Sequence, residues 1–105
     1  MTENNTDIQD ISLLAKAMSN PIRIQILKFL AEQTSCFHGD MADTLPIAKS
    51  TLSQHLNELK DANLISGTIS GNNVKYCINL EEWEKAQSIF NTFFKSIALK
   101  ESCKK

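Results

Sequence analysis

Arginine is almost missing from this chain: Arg23 is the only one among 105 residues, and the formal net charge is -1. Non-specific affinity for nucleic acid comes from many Lys and Arg contacts to phosphate, so a wholesale electrostatic grip is excluded. Any such binding must rest on where a few cations sit, with Lys49, Lys60 and Lys75 as candidates. No apolar run approaches the length that spans a bilayer, and Met1-Thr2-Glu3-Asn4-Asn5-Thr6-Asp7 lacks the basic and apolar regions of a signal peptide. A cytoplasmic protein without membrane contact is expected. The cysteines are Cys36, Cys77 and Cys103, an odd number in a chain that needs no disulfide framework, and reduced thiols are expected. A glycine-rich phosphate loop, an HExxH pair and paired carboxylates in a plausible cleft are all missing, which argues against an enzyme. What is present is a hydrophobic content of 42% without repeats or low-complexity stretches. That suits one packed domain over residues 1–105.

The most informative stretch runs from Ile47 to Ile65. Leu52, Leu56 and Leu59 recur at i, i+4 and i+7 and predict a buried helical stripe. Ser50, Thr51, Ser53, Gln54 and His55 crowd hydrogen-bonding groups into the first turns of the same helix, beside Lys49. Short polar side chains let a helix N-terminus approach base edges, and its free N–H groups and positive dipole end attract phosphate. Gln54 is the natural base reader, because an amide pairs bidentately with adenine N6 and N7. These residues could also simply solvate an exposed face, and His55 could be an inert surface imidazole.

The order of the other elements gives that helix a context. Ile8, Ile11, Leu14, Ala15 and Met18 mark a first amphipathic helix over 8–18. Asn20 caps a second, Pro21 takes its first position, and Ile22, Ile26, Leu27 and Leu30 form its core face. Thr34 to Phe37 reads as a short strand or extended link, and Asp40 to Leu45 as a short helix halted before Pro46. Asn63 suits the left-handed residue that ends a helix. Two β-rich runs, 64–69 and 74–78, are joined across Ser70-Gly71-Asn72-Asn73 as a hairpin. The resulting class is α+β and mostly helical: a winged helix-turn-helix with the helix-turn-helix over 39–63, a wing over 64–79, and a two- to three-stranded antiparallel sheet. Asn72, Asn73 and Lys75 would lie along DNA from the wing, although an ordinary surface hairpin has the same signature.

Asn79 opens the last helix with Glu82 three residues on, a reciprocal capping pattern. Trp83, Ala86, Phe90, Phe93, Phe94 and Ile97 then follow at helical spacing, too aromatic a stripe for a helix that covers only a small core. A homodimer is expected through this long C-terminal helix, 80–100, and the first helix, with Ile8, Ile11, Leu14, Trp83, Phe90, Phe93, Phe94 and Ile97 at the interface. The alternative is that the stripe serves its own domain only.

Taken together, Ala15-Lys16-Ala17-Met18-Ser19-Asn20-Pro21-Ile22-Arg23-Ile24-Gln25-Ile26-Leu27 resembles the opening block of the ArsR/SmtB family of bacterial winged-helix repressors. Ser50-Thr51-Leu52-Ser53-Gln54-His55-Leu56, with Leu59 and Ala62-Asn63-Leu64-Ile65, resembles its recognition block. The resemblance runs from about Ile11 to Phe94 and departs at Asn63, where Gly is usual. It implies a homodimeric regulator, usually a repressor released from a palindromic operator by a metal, metalloid or redox signal. Arsenical repressors of the family carry Cys-Val-Cys where Cys36-Phe37-His38 stands here, so Cys36 matches and His38 replaces the second cysteine. The zinc-responsive type needs His on the last helix, and 79–100 contains none.

If Tyr76, Val74 and Ile78 face the core, Cys77 faces away, and Phe37 inward turns Cys36 outward. The two sulfurs then become cross-strand neighbours with His38 nearby and Cys103 as a further candidate thiol, a set suited to a thiophilic metal or metalloid ion or to oxidation. Packed, inert cysteines are the plainer reading. A winged-helix module for protein–protein contact, or a regulator with no small inducer, is the alternative function that near-neutral charge allows.

Overall fold

In the computed structural model, which describes residues 5–39, 41–70 and 73–98, the chain runs α1 (Asn5–Ala17), α2 (Pro21–Ala31), β1 (Phe37–His38), a 3-10 turn (Met41–Asp43), α3 (Lys49–Asp61), β2 (Ile65–Ser70), β3 (Asn73–Ile78) and α4 (Leu80–Ala98). The three strands form an antiparallel sheet in the order β1-β3-β2. This is the mostly helical α+β class that the patterning predicts.

Local chemistry sets the boundaries. Asn20 is extended, and its Oδ1 accepts from the Ile22 N–H at 2.8 Å, while Pro21 occupies a position that needs no donor. At the end of α3, Asn63 adopts φ 65°, its N–H donates to Lys60 O at 2.9 Å and the Leu64 N–H donates to Leu59 O at 3.0 Å. That pair of bonds is a Schellman closure, and it turns the chain straight into β2. Because glycine meets this φ without steric cost, Asn63→Gly is expected to raise stability by up to about 1 kcal/mol, read as a higher urea midpoint at unchanged slope. A lower midpoint would show that the Asn side chain itself supports the turn.

The core sits where α2, α3 and the sheet meet. Leu52, Leu56 and Leu59 of α3, Ile26, Leu27 and Leu30 of α2, and Ala17, Met41, Leu64 and Ile65 form one buried cluster. Phe37 packs edge-on against Phe29, ring centroids 4.9 Å apart, and Tyr76, Ile78 and Trp83 pad the cluster's margin. Gly67 faces Tyr76 across β2 and β3, and a Cβ there would stand 2.7 Å from the ring, so the tyrosine covers a bare backbone. Burial pushes the Tyr76 phenol up from its ordinary pKa.

Three expectations need correction. The helix expected over Asp40 to Leu45 is only the three-residue 3-10 turn, with Asp40 outside the described residues. Pro46 bars its extension, and so short a segment gains little from nucleating. Of the stretch expected as a short strand or extended link, Thr34 to Cys36 is not strand, and β1 is Phe37–His38, followed by Gly39 at φ 115°. The Asn79 cap forms in one direction only: its Oδ1 accepts from the Glu82 N–H at 3.3 Å, but its own N–H goes to Leu64 O at 3.1 Å and Glu82 pairs with Lys85.

Candidate nucleic-acid interface

Helix α3 divides its residues as an interface must. The leucine stripe holds one face in the core, and Lys49, Ser50, Ser53 and Gln54 are exposed on the other, with Thr51 and His55 half-buried at its edge. Its N-cap is Ala48, which supplies no side-chain oxygen to the first turn, and no acidic residue stands in that turn. The first N–H groups and the positive end of the helix dipole therefore receive no side-chain oxygen from the N-cap residue and no carboxylate from the first turn itself. Glu58 and Asp61 lie toward the far end instead. An anion is thus admitted at the end that carries Lys49, Ser50, Thr51, Ser53 and Gln54.

Arg23 does not join this surface. Its Nε donates to His55 Nδ1 at 3.1 Å, and its Nη1 donates to Ala17 O at 3.1 Å and to Lys16 O at 3.3 Å. No sequence pattern announces this link, since Arg23 and His55 are 32 residues apart.

In the wing, Lys75 is exposed on the central strand, with Thr68 opposite it on β2 and His38 opposite it on β1. Asn72 and the side chain of Asn73 lie outside the described residues. Both the helix and the hairpin expected to carry DNA contacts are formed.

A family model described as "Bacterial regulatory protein, arsR family" matches residues 20–66, from the cap of α2 to the start of β2. The transcriptional repressor SdpR of Bacillus subtilis (strain 168) is 39% identical over 66 residues, which make up 61% of this chain and 70% of SdpR. The transcriptional regulator HlyU from Vibrio vulnificus CMCP6, a solved structure, is 31% identical, with a TM-score of 0.58 over 82% of this chain and 84% of that one. The chain belongs to the arsR family of bacterial regulatory proteins. The HTH-type transcriptional repressor SmtB of Mycobacterium tuberculosis (strain ATCC 25618 / H37Rv) is 38% identical over 63 residues, 60% of this chain and 46% of SmtB. The chain therefore spans about half the length of that relative. Membership of a family of regulators, not enzymes, agrees with the missing catalytic motifs.

In this arsR-family chain the expectation of reduced thiols fails for two of the three cysteines. Cys36 and Cys77 are joined as a disulfide with Cα atoms 4.5 Å apart. The cross-strand reasoning holds: Phe37 pairs with Tyr76 and both pack on the core, which brings the next pair, Cys36 and Cys77, face to face. At 4.5 Å the pair has the close spacing of a non-hydrogen-bonded antiparallel site, which lets two cysteines meet. The sulfurs line a cleft of about 280 Å³ with Leu30, Thr34, Ser35 and Leu80. His38, two residues along β1, shares the sheet face of Cys36 and is exposed. A disulfide offers no thiolate to a metal, and among the described residues no three His, Cys, Asp or Glu side chains are grouped to hold one. Cys103 lies outside the described residues.

The residues expected at a dimer interface divide in two. Ile8, Phe94 and Ile97 are exposed, and Ile11, Phe90 and Phe93 are half-buried, with Phe90 and Phe94 stacked at 5.8 Å. Leu14 and Trp83 instead pack against the chain's own core, and the Trp83 Nε1 is buried with no hydrogen-bond partner among the described residues. No helix among the described residues is long and apolar enough to cross a membrane.

Proposed function

We propose that this chain is a homodimeric, sequence-specific DNA-binding regulator of transcription, a repressor that reads a palindromic operator and is released by a thiol-redox signal. The observation that carries the reading is the first turn of α3, which its N-cap Ala48 does not cap, which holds no acidic residue, and from which Ser50, Ser53 and Gln54 are exposed beside Lys49. Exposed Lys75 on the wing supports a second contact along the duplex, and Asn72 and Asn73 are assigned to that contact from the sequence. The dimer is supported by the exposed apolar side chains of α1 and α4. It is supported also by a radius of gyration of 16.5 Å, against about 13 Å for a compact domain of this size.

Among the signals open to such a regulator, the Cys36–Cys77 pair favours thiol chemistry over a metal or metalloid. Two exchange steps with a small thiol open the disulfide: two thiol molecules become one disulfide, and Cys36 and Cys77 each take up a proton and an electron.

The test is a footprint on the DNA upstream of the coding sequence, followed by titrations across a salt series. Protection is expected over two half-sites about one helical turn apart. Gln54→Ala should relax base preference at one position of each half-site by about 1–3 kcal/mol, whereas Lys49→Ala should weaken all sequences alike and flatten the salt dependence. Failure to bind any upstream fragment at low salt would turn the reading toward a protein-binding module.

A further inference from the structure

The bond between Arg23 and His55 joins α3 to the start of α2 and, through the same guanidinium, to the end of α1. We infer that Arg23 is a positioning residue for operator binding, which sets the tautomer of His55 and ties α3 to the end of α1; this rests on the operator reading above. A guanidinium carries five N–H donors, keeps its charge and can accept nothing. Its Nε–H bond to His55 Nδ1, 3.1 Å long, therefore requires the lone pair on Nδ1, and a neutral imidazole then holds its one proton on Nε2. The His55 side chain makes no other hydrogen bond among the described residues, so the Nε2–H remains a donor. A donor at this position of α3 suits a phosphate oxygen or the N7 and O6 acceptors of guanine.

The rest of the guanidinium explains why it stays in place. Nη1 donates to Ala17 O at the end of α1, and more distantly to Lys16 O, which also accepts from the Ser19 N–H and Oγ. A cation at the negative end of a helix dipole is itself favourable. One side chain, rooted in the first turn of α2, thus spans three helices. The path from the proposed dimer face on α1 to the proposed DNA face on α3 is two hydrogen bonds long.

The experiment compares the full-length wild type with Arg23→Met, which keeps much of the stem without the donors, and His55→Phe, which removes the acceptor and leaves the carbonyl bonds. Nitrogen-15 NMR of the ring reads the tautomer directly, since the chain has only His38 and His55. The wild type should show His55 protonated on Nε2, and Arg23→Met should show a mixture. Operator affinity should fall about tenfold in each variant, and the double variant should bind no more weakly than the weaker single one. The salt slope of Arg23→Met should equal that of the wild type if the role is positioning, because Nε and Nη1 of Arg23 are taken up by His55 and the end of α1. A wild-type ring protonated on Nδ1, a lower slope for Arg23→Met, or losses that multiply in the double variant would each overturn the role. A wild type that binds no operator would sink the operator reading itself, whereas a wild-type complex matched by both variants would sink only the role of Arg23. Should Arg23→Met fail to fold, His55→Phe carries the affinity test alone.

Discussion

Replacing both Phe94 and Ile97 by Asp is expected to lower operator affinity by about 10² to 10⁴-fold, the advantage lost when two half-sites are no longer bound by one linked pair of subunits. The two side chains are 58% and 57% exposed on the isolated subunit, so the substitutions leave its own core intact. In a subunit interface the same positions would bury unpaired carboxylates, which is costly enough to separate the chains. Sedimentation equilibrium should report one subunit in place of two, with the helical circular dichroism of the fold retained. A doubly substituted protein that still sediments as a dimer and binds as tightly would place the interface elsewhere.

Opening the Cys36–Cys77 disulfide is expected to produce the other large effect, on stability. The bond links positions 41 residues apart, and closing a loop of that length restricts the unfolded chain by about 4 kcal/mol on the entropy model, with 2–5 kcal/mol the usual loss when a native disulfide is removed. For a domain of this size the melting temperature should drop by roughly 15–25 °C. Reduced wild type and the Cys36→Ser/Cys77→Ser variant should melt together, measured by calorimetry with and without reductant. A shift below a degree or two would mean that the sheet holds β1 unaided. Operator titrations on the two forms then test the proposed signal, and equal affinities would remove redox control from the reading.

The parts of this fold that could be read from the chain are those decided within a few residues. The leucine spacing of α3, the Asn20 and Pro21 start of α2, the left-handed Asn63 and the hairpin are all local matters of period, capping and turn chemistry, and each is formed. The facing of Cys36 and Cys77 was also legible, because alternation along two strands follows from the inward Phe37 and Tyr76. Their union was not, since a thiol pair and a disulfide share one sequence. The segment after Gly39 misled for a different reason: its apolar Met41, Ala42 and Leu45 fit a helical turn, but Pro46 leaves no room for a second. Arg23 was beyond reach altogether. An exposed phosphate contact and an interhelical bracket require the same lone cation, and only the approach of α1 and α3 in space distinguishes them.

The hydrogen bond from the Asn79 N–H to Leu64 O pins together the two ends of the chain segment that makes the hairpin. Ile65, Tyr76 and Ile78 hold the base of this arm against the helices, and the strand pairs from Thr68 and Lys75 onward extend beyond that base. Adding two residues to each strand would keep every inward side chain inward and lengthen the arm by about 7 Å. Descendants of this chain are therefore free to change how far they stretch along a duplex without rebuilding the body that carries the arm.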